Sequence, residues 1–268
     1  MVKKDEFDRN TVERYQKLLN FEHLKGKCNF GRRVLRGGRS LKKGEGRMTT
    51  ERILIIGAGG IAMMLLMLIR QKNEFPHVQK WKMVILSIAL TVTGVLGTMI
   101  MFFIESGHFG GTSFYGAVLF VPVLMIPAVL LKIPYRDILN LCAPAECLML
   151  SIMKIDCLMS NCCYGRYIPA IHMVFPSQIV EGIAGLLIMG ALLLIAFKKK
   201  NASLYPWYPI IYGAVRYCLN GYRFGLTPFM LGLSNGHFWS VVSVVIGIIW
   251  LIAVKNYDSR NNINMKRR

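Results

Sequence analysis

Residues 83–104 read MVILSIALTVTGVLGTMIMFFI, a stretch of 22 residues without a charged side chain. The hydrocarbon core of a bilayer is about 30 Å thick, and an α-helix needs about 20 apolar residues to cross it. This stretch therefore predicts a membrane-spanning helix.

Apolar runs of similar length lie on both sides of this stretch. Hydrophobic residues make up 54% of the 268-residue chain, and the mean hydropathy is +0.42, which is too apolar for a typical soluble domain. Four further clean runs cover residues 53–69, 115–131, 179–197 and 238–254, and two runs interrupted by polar residues cover 138–159 and 205–217. The pattern predicts an all-α polytopic membrane protein with about seven transmembrane helices around a polar, lipid-accessible cavity. We expect function in the two interrupted runs.

Basic residues are distributed unevenly between the predicted loops. The chain has 33 Lys and Arg against 14 Asp and Glu, a formal net charge of +19. Loops after the first, third, fifth and seventh runs hold 14 basic residues, whereas the other three hold only Arg166 and Arg223. Because basic loops remain cytoplasmic, the bias predicts a cytoplasmic C-terminus. In a membrane protein such a charge indicates topology and attraction to anionic lipid rather than to nucleic acid.

The N-terminal segment contradicts this topology. Residues 1–52 contain fifteen basic residues, which would resist translocation to the outside. Three interpretations are open: a biological start at Met48, a cytoplasmic basic arm with one span miscounted, or a basic tail that binds lipid or nucleic acid. We therefore divide the chain into a basic extension at 1–47, a seven-span domain at 48–256 and a basic cytoplasmic tail at 257–268.

One glycine-rich stretch allows two interpretations. ILIIGAGGIA at residues 53–62 has the spacing of a dinucleotide-binding turn. The apolar run continues unbroken to Ile69, however, so a membrane helix that packs closely through small residues explains it better.

The fourth run ends in KIDCLMSNCCYGR, residues 154–166. A charge that faces lipid costs about 3 kcal/mol or more, so we expect Lys154 to face a polar cavity. Asn140 and Cys147 precede Lys154 at seven-residue intervals, which places the three on roughly one helical face. Glu146 and Asp156 are acids that could simply neutralise Lys154 or Arg166.

The cysteines of this segment have two interpretations. Cys157, Cys162 and Cys163 form a C-x4-C-C pattern, but zinc sites usually need a second pair of ligands, and none is evident. We interpret them as small packing residues near a cavity. The odd total of seven cysteines, most of them in or beside predicted spans, argues against a disulfide framework.

The loop before the third run reads ESGHFGGTSFYGAVLF, residues 105–120. It is either an interfacial turn with an aromatic belt or a site in which His108, Ser113 and Tyr115 contact a bound headgroup. In the second case Tyr115 or His108 would transfer a proton.

Two more charged residues lie in or beside apolar runs. Glu181 is in FPSQIVEG, residues 175–182, where a helix N-terminus would stabilise it, or where it and Gln178 would orient an arginine. Arg216 lies inside the sixth run, and its planar guanidinium suits the phosphate of a phospholipid headgroup. The structural alternative is an ion pair of Arg216 with Glu181 or Glu146.

Read in order, GGTSFYGA, APAECLMLSIMKIDCLMSNCCYGR, PSQIVEG and YGAVRYCLNGYR resemble the motifs of the bacterial prolipoprotein diacylglyceryl transferases over about residues 105–225. The resemblance implies transfer of the diacylglyceryl group of phosphatidylglycerol to the thiol of a lipobox cysteine in a secreted precursor, leaving glycerol phosphate. It implies an active site at the outer face of the bacterial plasma membrane, and neither a cofactor nor a metal.

The resemblance also assigns residues. Positions that match the family motifs are Gly165, Arg166, Pro176, Ser177, Gln178, Glu181 and Arg216. Positions that depart from them are Tyr115 for a histidine, Lys154 for an arginine, Cys157 for an asparagine, Cys162 for a glutamate, Asn140 for an aspartate and Asn220 for a glutamate. Versions of the motif that end in GCCYG resemble a cysteine-rich branch of the family.

These observations give two sets of candidate residues. The expected catalytic residues are Arg216, Lys154, Tyr115 and His108. The expected phospholipid-binding residues are Arg216, Arg166, Gly165, Lys154, Gln178, Glu181, Ser113, Cys157 and Asn140. An alternative is a phospholipid-binding or lipid-transferring relative of the same fold that uses another acceptor or none; a seven-span transporter or receptor is the third hypothesis.

Overall fold

The computed structural model describes residues 50–108, 110–159, 163, 165–168, 173–199, 202–223 and 228–266. They belong to one compact unit, Gly46–Met159 with Cys163–Arg268. The predicted extension at 1–47 and Cys162 lie outside the described residues.

The described part of the chain is mostly helical. Its α-helices are α1 (Thr50–Glu74), α2 (Lys80–Ser106), α3 (Tyr115–Leu124), α4 (Tyr135–Met159), α5 (Ser177–Lys198), α6 (Trp207–Asn220) and α7 (Asn235–Lys266), with a 3₁₀ helix at Ile126–Leu131. Two short antiparallel hairpins join them: β1 (Tyr167–Ile168) pairs with β2 (Met173–Val174), and β3 (Pro228–Met230) pairs with β4 (Leu233–Ser234).

Five of the described helices are long and apolar enough to cross a membrane: α1, α2, α4, α5 and α7. The other two, α3 and α6, have 10 and 14 residues. The predicted single run at 115–131 is instead two pieces, because α3 ends at Leu124 shortly after Pro122 and the 3₁₀ helix follows it. A proline lacks the N–H that continues a helix. The polytopic helical class is confirmed, while the count of seven spans stays a prediction.

Helix α4 lies at the centre of the bundle. Two thirds of its apolar segment is buried, against 28% or less for each of the other four long helices. It packs mainly against α1 and α5. This position explains why α4 tolerates more polar residues than its neighbours, since protein rather than lipid surrounds most of its surface.

The loops after α1, α3 and α5 and the end of α7 meet at one end of the bundle. Arg70 donates a hydrogen bond to the Asn140 carbonyl at 2.6 Å, and the Asn140 side chain accepts the Leu204 N–H at 2.7 Å. Arg136 pairs with Asp258 at 3.3 Å. We name this the basic end, because it gathers the loops in which 14 basic residues were counted.

The loops after α4 and α6 meet at the opposite end. The Arg166 N–H donates to the Tyr222 carbonyl at 2.8 Å, and Gly165 pairs with Arg223 in a β-bridge. We name this the cluster end, after the charged site described below. The two ends separate the loops as the charge count predicted, whereas the orientation of the ends in a membrane stays a prediction.

The glycine-rich stretch at 53–62 lies within the continuous helix α1. Gly59 faces Met149 and Ile152 of α4. Gly60 faces α2, and a Cβ at Gly60 would lie 3.4 Å from the Thr91 side chain. These contacts agree with the interpretation of close helix packing, because each glycine allows a neighbouring helix to approach.

A second close approach, between α2 and α3, yields a test of the fold. A Cβ at Gly97 would lie 2.7 Å from the carbonyl oxygen of Gly116, whereas a Cβ at Gly94 on the same helix would meet nothing within 4 Å. We expect Gly97→Leu to lower the stability of the protein by about 1–3 kcal/mol or more, as overpacking does. Gly94→Leu should unfold close to wild type in detergent. Equal thermal unfolding of the two variants would contradict this packing.

Candidate functional site

A charged cluster lies between α4, α5 and α6, near the cluster end. Glu181 on α5 has a side chain that is only 4% exposed, and it pairs with three cations. Its Oε2 contacts Lys154 Nζ of α4, and its Oε1 contacts the Arg216 guanidinium of α6. Arg223 Nε lies 3.3 Å from the same Oε1. We call these four residues the Glu181 cluster.

Local sequence places Glu181 at the start of its helix. Helix α5 begins at Ser177, so Glu181 lies one turn inside it, where the positive end of the helix dipole favours a carboxylate. Ser177 Oγ donates to the Cys163 carbonyl, which ties the helix start to the segment after α4. Gly182 follows Glu181 and faces α4, where a Cβ at Gly182 would make an ordinary contact of 3.5 Å with the Cβ of Lys154.

The cluster has an excess of positive charge. Lys154 and Arg216 are only 12% and 11% exposed, so neither side chain is well hydrated. Glu105 of α2 also attracts Arg216, but three cations still outnumber two carboxylates. Within the described residues, the buried Nε of Arg216 has no hydrogen-bond partner. A buried excess of cations with an unused N–H donor suits an anion such as a phosphate.

Tyr115 borders the cluster from α3. Its hydroxyl lies 2.8 Å from the Gly236 carbonyl oxygen and 2.6 Å from Ser240 Oγ, both on α7, and its side chain also interacts with Arg216. The ring packs against Tyr212 with centroids 5.6 Å apart. The structure therefore places Tyr115 beside the guanidinium in a buried position.

An apolar groove of about 330 Å³ runs between α4 and α5 beside the cluster. Lys154 and Gln178 are polar residues in its wall, and the rest is formed by side chains such as Ile155 and Ile183 and by the backbone of Gly182. A smaller void of about 10 Å³, lined by Glu181, Arg216 and Tyr212 among others, is large enough for about one water molecule. Gln178 itself is buried at the start of α5.

Arg166 and Gly165 lie at the periphery of the site. The Arg166 side chain is exposed and stacks over the Tyr222 ring at 5.5 Å. Gly165 is buried, and a Cβ there would collide with the backbone of Phe175. The glycine thus lets the segment after α4 lie against the start of α5, where the Phe175 N–H donates to the Arg166 carbonyl at 3.0 Å.

Other predicted residues lie away from the cluster. Asn140 is 14 residues before Lys154 on α4, about 21 Å along the helix, and its side chain bonds to the loop before α6 at the basic end. His108 is exposed; its Nδ1 lies 3.0 Å from the Ser106 carbonyl and its ring packs on Phe102. Ser113 donates to Glu105 at 2.7 Å.

Glu146 and Cys157 complete the predicted set. Glu146 does not neutralise Lys154, because it is buried beside Tyr205, whose hydroxyl donates to it at 3.3 Å. Cys157 is half-buried on α4, three residues after Lys154. Its predicted role in lipid binding stays a prediction.

Sequence reasoning missed two participants. Arg223 was counted only as a loop charge, and because it lies beyond the end of α6 at Asn220, its spacing from Arg216 gave no indication that it reaches Glu181. Glu105 was noted only within a loop motif, although it attracts Arg216.

Five helices able to cross a membrane around a buried charged cluster define an integral membrane protein of the polytopic helical class. A family model described as prolipoprotein diacylglyceryl transferase matches residues 53–253, and the chain belongs to this family. The match includes every residue of the Glu181 cluster. A search of curated proteins found no matching sequence.

Proposed function

We propose that the protein transfers the diacylglyceryl group of phosphatidylglycerol to the thiol of a lipobox cysteine in a secreted precursor. The family carries out diacylglyceryl transfer to prolipoproteins in general. The observation that carries the proposal for this chain is the Glu181 cluster, in which three partly buried cations share one buried carboxylate. An anionic phospholipid headgroup would supply the missing negative charge.

Arg216 and Lys154 have the central roles in this proposal. The guanidinium presents a planar fork that suits a phosphate, and Lys154 adds a point charge at the groove. When the bond between the glyceryl carbon and the phosphate oxygen breaks, the oxygen keeps the electron pair and these cations stabilise it. The acceptor thiolate forms the new bond to the same carbon, so the chain itself needs no nucleophilic cysteine.

The groove between α4 and α5 supports a location for the donor. Its walls are apolar, it faces outward from the bundle, and Lys154 lies in it. We propose that one acyl chain of the donor occupies the groove while its phosphate reaches Lys154. Arg166 does not line the groove, but it is exposed at the cluster end, and we propose that it contacts the headgroup there.

Filling the groove tests this location. A leucine at Gly182 would extend past Lys154 into the groove, whereas a Cβ at Gly190 on the same helix meets nothing within 4 Å. Excluding two or three methylene groups costs about 2 kcal/mol, so we expect Gly182→Leu to raise the KM for donor lipid about 30-fold. Gly190→Leu is the matched control and should leave KM unchanged. Equal KM values would place the donor elsewhere.

The protein's environment is part of the proposal. We propose that it lies in the bacterial plasma membrane with its cluster end outside and its C-terminus in the cytoplasm. The separation of basic loops at one end of the bundle supports this orientation, because basic loops remain cytoplasmic. With α3 and α6 counted as spans, the chain crosses the membrane seven times, and successive loops alternate between its two sides as the charge count requires.

A direct assay tests the function. Detergent-purified protein is incubated with phosphatidylglycerol and a synthetic lipobox peptide, and the peptide cysteine is analysed by mass spectrometry. We expect a diacylglyceryl mass increase with phosphatidylglycerol and none with a peptide whose cysteine is replaced by serine. Absence of the increase, with phospholipid still bound to the protein, would instead favour the lipid-binding alternative.

A further inference from the structure

Three side chains form a hydrogen-bonded group that the proposed function does not use. Ser234 Oγ, at the end of β4, lies 2.7 Å from Nδ1 of His237 in the first turn of α7. Asn220 Nδ2 donates to Ser234 Oγ at 3.0 Å and lies 3.1 Å from the same His237 nitrogen. Asn220 is buried, whereas His237 is half-buried and can be approached.

This group lies next to the Glu181 cluster. Asn220 follows Arg216 by four residues on α6, so it lies on the same face about 6 Å further along the helix. From α3, Tyr115 interacts with Arg216 and bonds to the carbonyl of Gly236, the residue before His237. Two independent sets of contacts therefore place the imidazole at the end of α6, where Asn220 and Tyr115 lie between it and Arg216.

The hydrogen bonds assign a direction for proton movement. Asn220 Nδ2 is a donor within reach of both Ser234 Oγ and His237 Nδ1, so Nδ1 is an acceptor and the Ser234 hydroxyl hydrogen donates to it. The contact from the His237 N–H to Ser234 Oγ is weak, at 3.5 Å, and is the one that an incoming thiol would replace. His237 is then a neutral imidazole that carries its own proton on Nε2. A hydroxyl that donates to a basic nitrogen can pass on a proton received from a third group.

We propose that His237, acting through Ser234, accepts the proton of the acceptor thiol. This inference rests on the proposed transferase function. The thiol proton moves to Ser234 Oγ while the Ser234 proton moves to His237 Nδ1. The thiolate then forms the bond to the glyceryl carbon, and the bond from that carbon to the phosphate oxygen breaks. Glycerol phosphate leaves with the electron pair, and the imidazolium returns its proton to the phosphate or to water.

The other candidate bases are less suited to this step. Phenols ionise near pH 10, and the hydroxyl of Tyr115 is already bonded on α7. His108 lies in its own loop, held by Ser106 and Phe102. An imidazole nitrogen that accepts a hydrogen bond from a hydroxyl is placed to take up that hydroxyl's proton. The ring centroid of Tyr217 lies 4.8 Å from that of His237. The other titratable and charged groups in this region are Tyr115, Arg216, Arg223 and Glu105, and Glu105 bonds to Asn235.

A purely structural role is the alternative to be separated. Ser234 precedes α7, and its Oγ near the His237 N–H resembles a helix cap. Glutamine at the third helical position also completes such a cap. His237→Gln therefore keeps the capping role and removes only the group that titrates.

The experiment compares pH profiles of transfer for the full-length variants, using phosphatidylglycerol and the lipobox peptide. At pH 7 we expect His237→Gln to be about 100-fold slower than wild type, because a general base typically contributes that much. The difference should shrink to less than about tenfold near pH 10, where a thiol with a pKa near 8.5 is already ionised.

Variants of the relay partner serve as controls. Ser234→Ala removes the hydroxyl and should behave like His237→Gln, whereas Ser234→Thr keeps both hydroxyl and cap and should retain most activity. Arg216→Ala should not recover at high pH, since phosphate binding does not depend on the thiol. Thermal unfolding of each variant shows whether the fold is intact.

Two results would overturn the role of His237 and leave the proposed function intact. One is a wild-type rate of transfer for His237→Gln at pH 7. The other is a loss of rate that stays constant from pH 7 to 10, as a structural role would give. Absence of transfer by the wild-type protein would overturn the proposed function and, with it, the role of His237. The two failures are therefore distinguishable.

Discussion

Arg216→Ala is expected to lower the rate of diacylglyceryl transfer by about 100- to 1000-fold, the loss typical of removing one group that stabilises developing negative charge. The fold should survive, because Glu181 would still pair with Lys154 and Arg223. Arg216→Lys keeps the charge but loses the planar fork, so we expect a smaller loss. The measurement is the rate of peptide modification by mass spectrometry.

The matched control for Arg216 lies at the opposite end of the bundle. Arg136 pairs with Asp258, and both side chains are well exposed, at 38% and 43%. Arg136→Ala removes the same charge from a helical segment without touching the Glu181 cluster, so transfer should be unchanged. Transfer by Arg216→Ala at the wild-type rate would remove Arg216 from the mechanism.

Glu181→Gln is expected to destabilise the protein by about 3–5 kcal/mol, because it leaves three neighbouring cations without their shared carboxylate. The substitution keeps the size of the side chain, so the effect reports charge rather than packing. Thermal unfolding in detergent measures it. Transfer should also fall, since Glu181 holds Lys154 and Arg216 in position.

Adding an anion should show whether Glu181→Gln is destabilised by the loss of negative charge or by another cause. Glycerol phosphate would replace part of the lost negative charge, so it should raise the unfolding temperature of Glu181→Gln more than that of wild type. Asp258→Asn breaks an exposed pair and should cost only about 0–1 kcal/mol. An unfolding temperature for Glu181→Gln equal to that of wild type would show that the cluster does not need the carboxylate.

Much of the helical plan could be predicted from the sequence. The runs at 53–69, 83–104, 179–197 and 238–254 each lie within a long helix, because a long apolar segment without breakers has few alternatives in a bilayer. The run at 115–131 was misjudged as continuous. Its hydropathy does not reveal that the chain turns after Pro122, where the carbonyl accepts the Tyr135 hydroxyl from the start of α4.

The candidate site was predicted residue by residue but not as an arrangement. Lys154, Glu181 and Arg216 were each noticed as charges within apolar runs. Asn140 was placed on the same face as Lys154, yet it bonds at the other end of the bundle. The heptad spacing contains no information about the distance along the helix to a partner, and the shared face of Asn140 and Lys154 stays a prediction.

The amino-acid sequence by itself determined that this chain is a helical membrane protein and which charges must lie inside it, because these follow from local apolarity and from the cost of exposing charge to lipid. Only the tertiary structure decided which charges meet. Lys154, Glu181 and Arg216 belong to three different helices, and an ion pair forms only when side chains approach within about 4 Å. Helix packing sets that approach, and the same packing brings His237 of α7 to Asn220 at the end of α6.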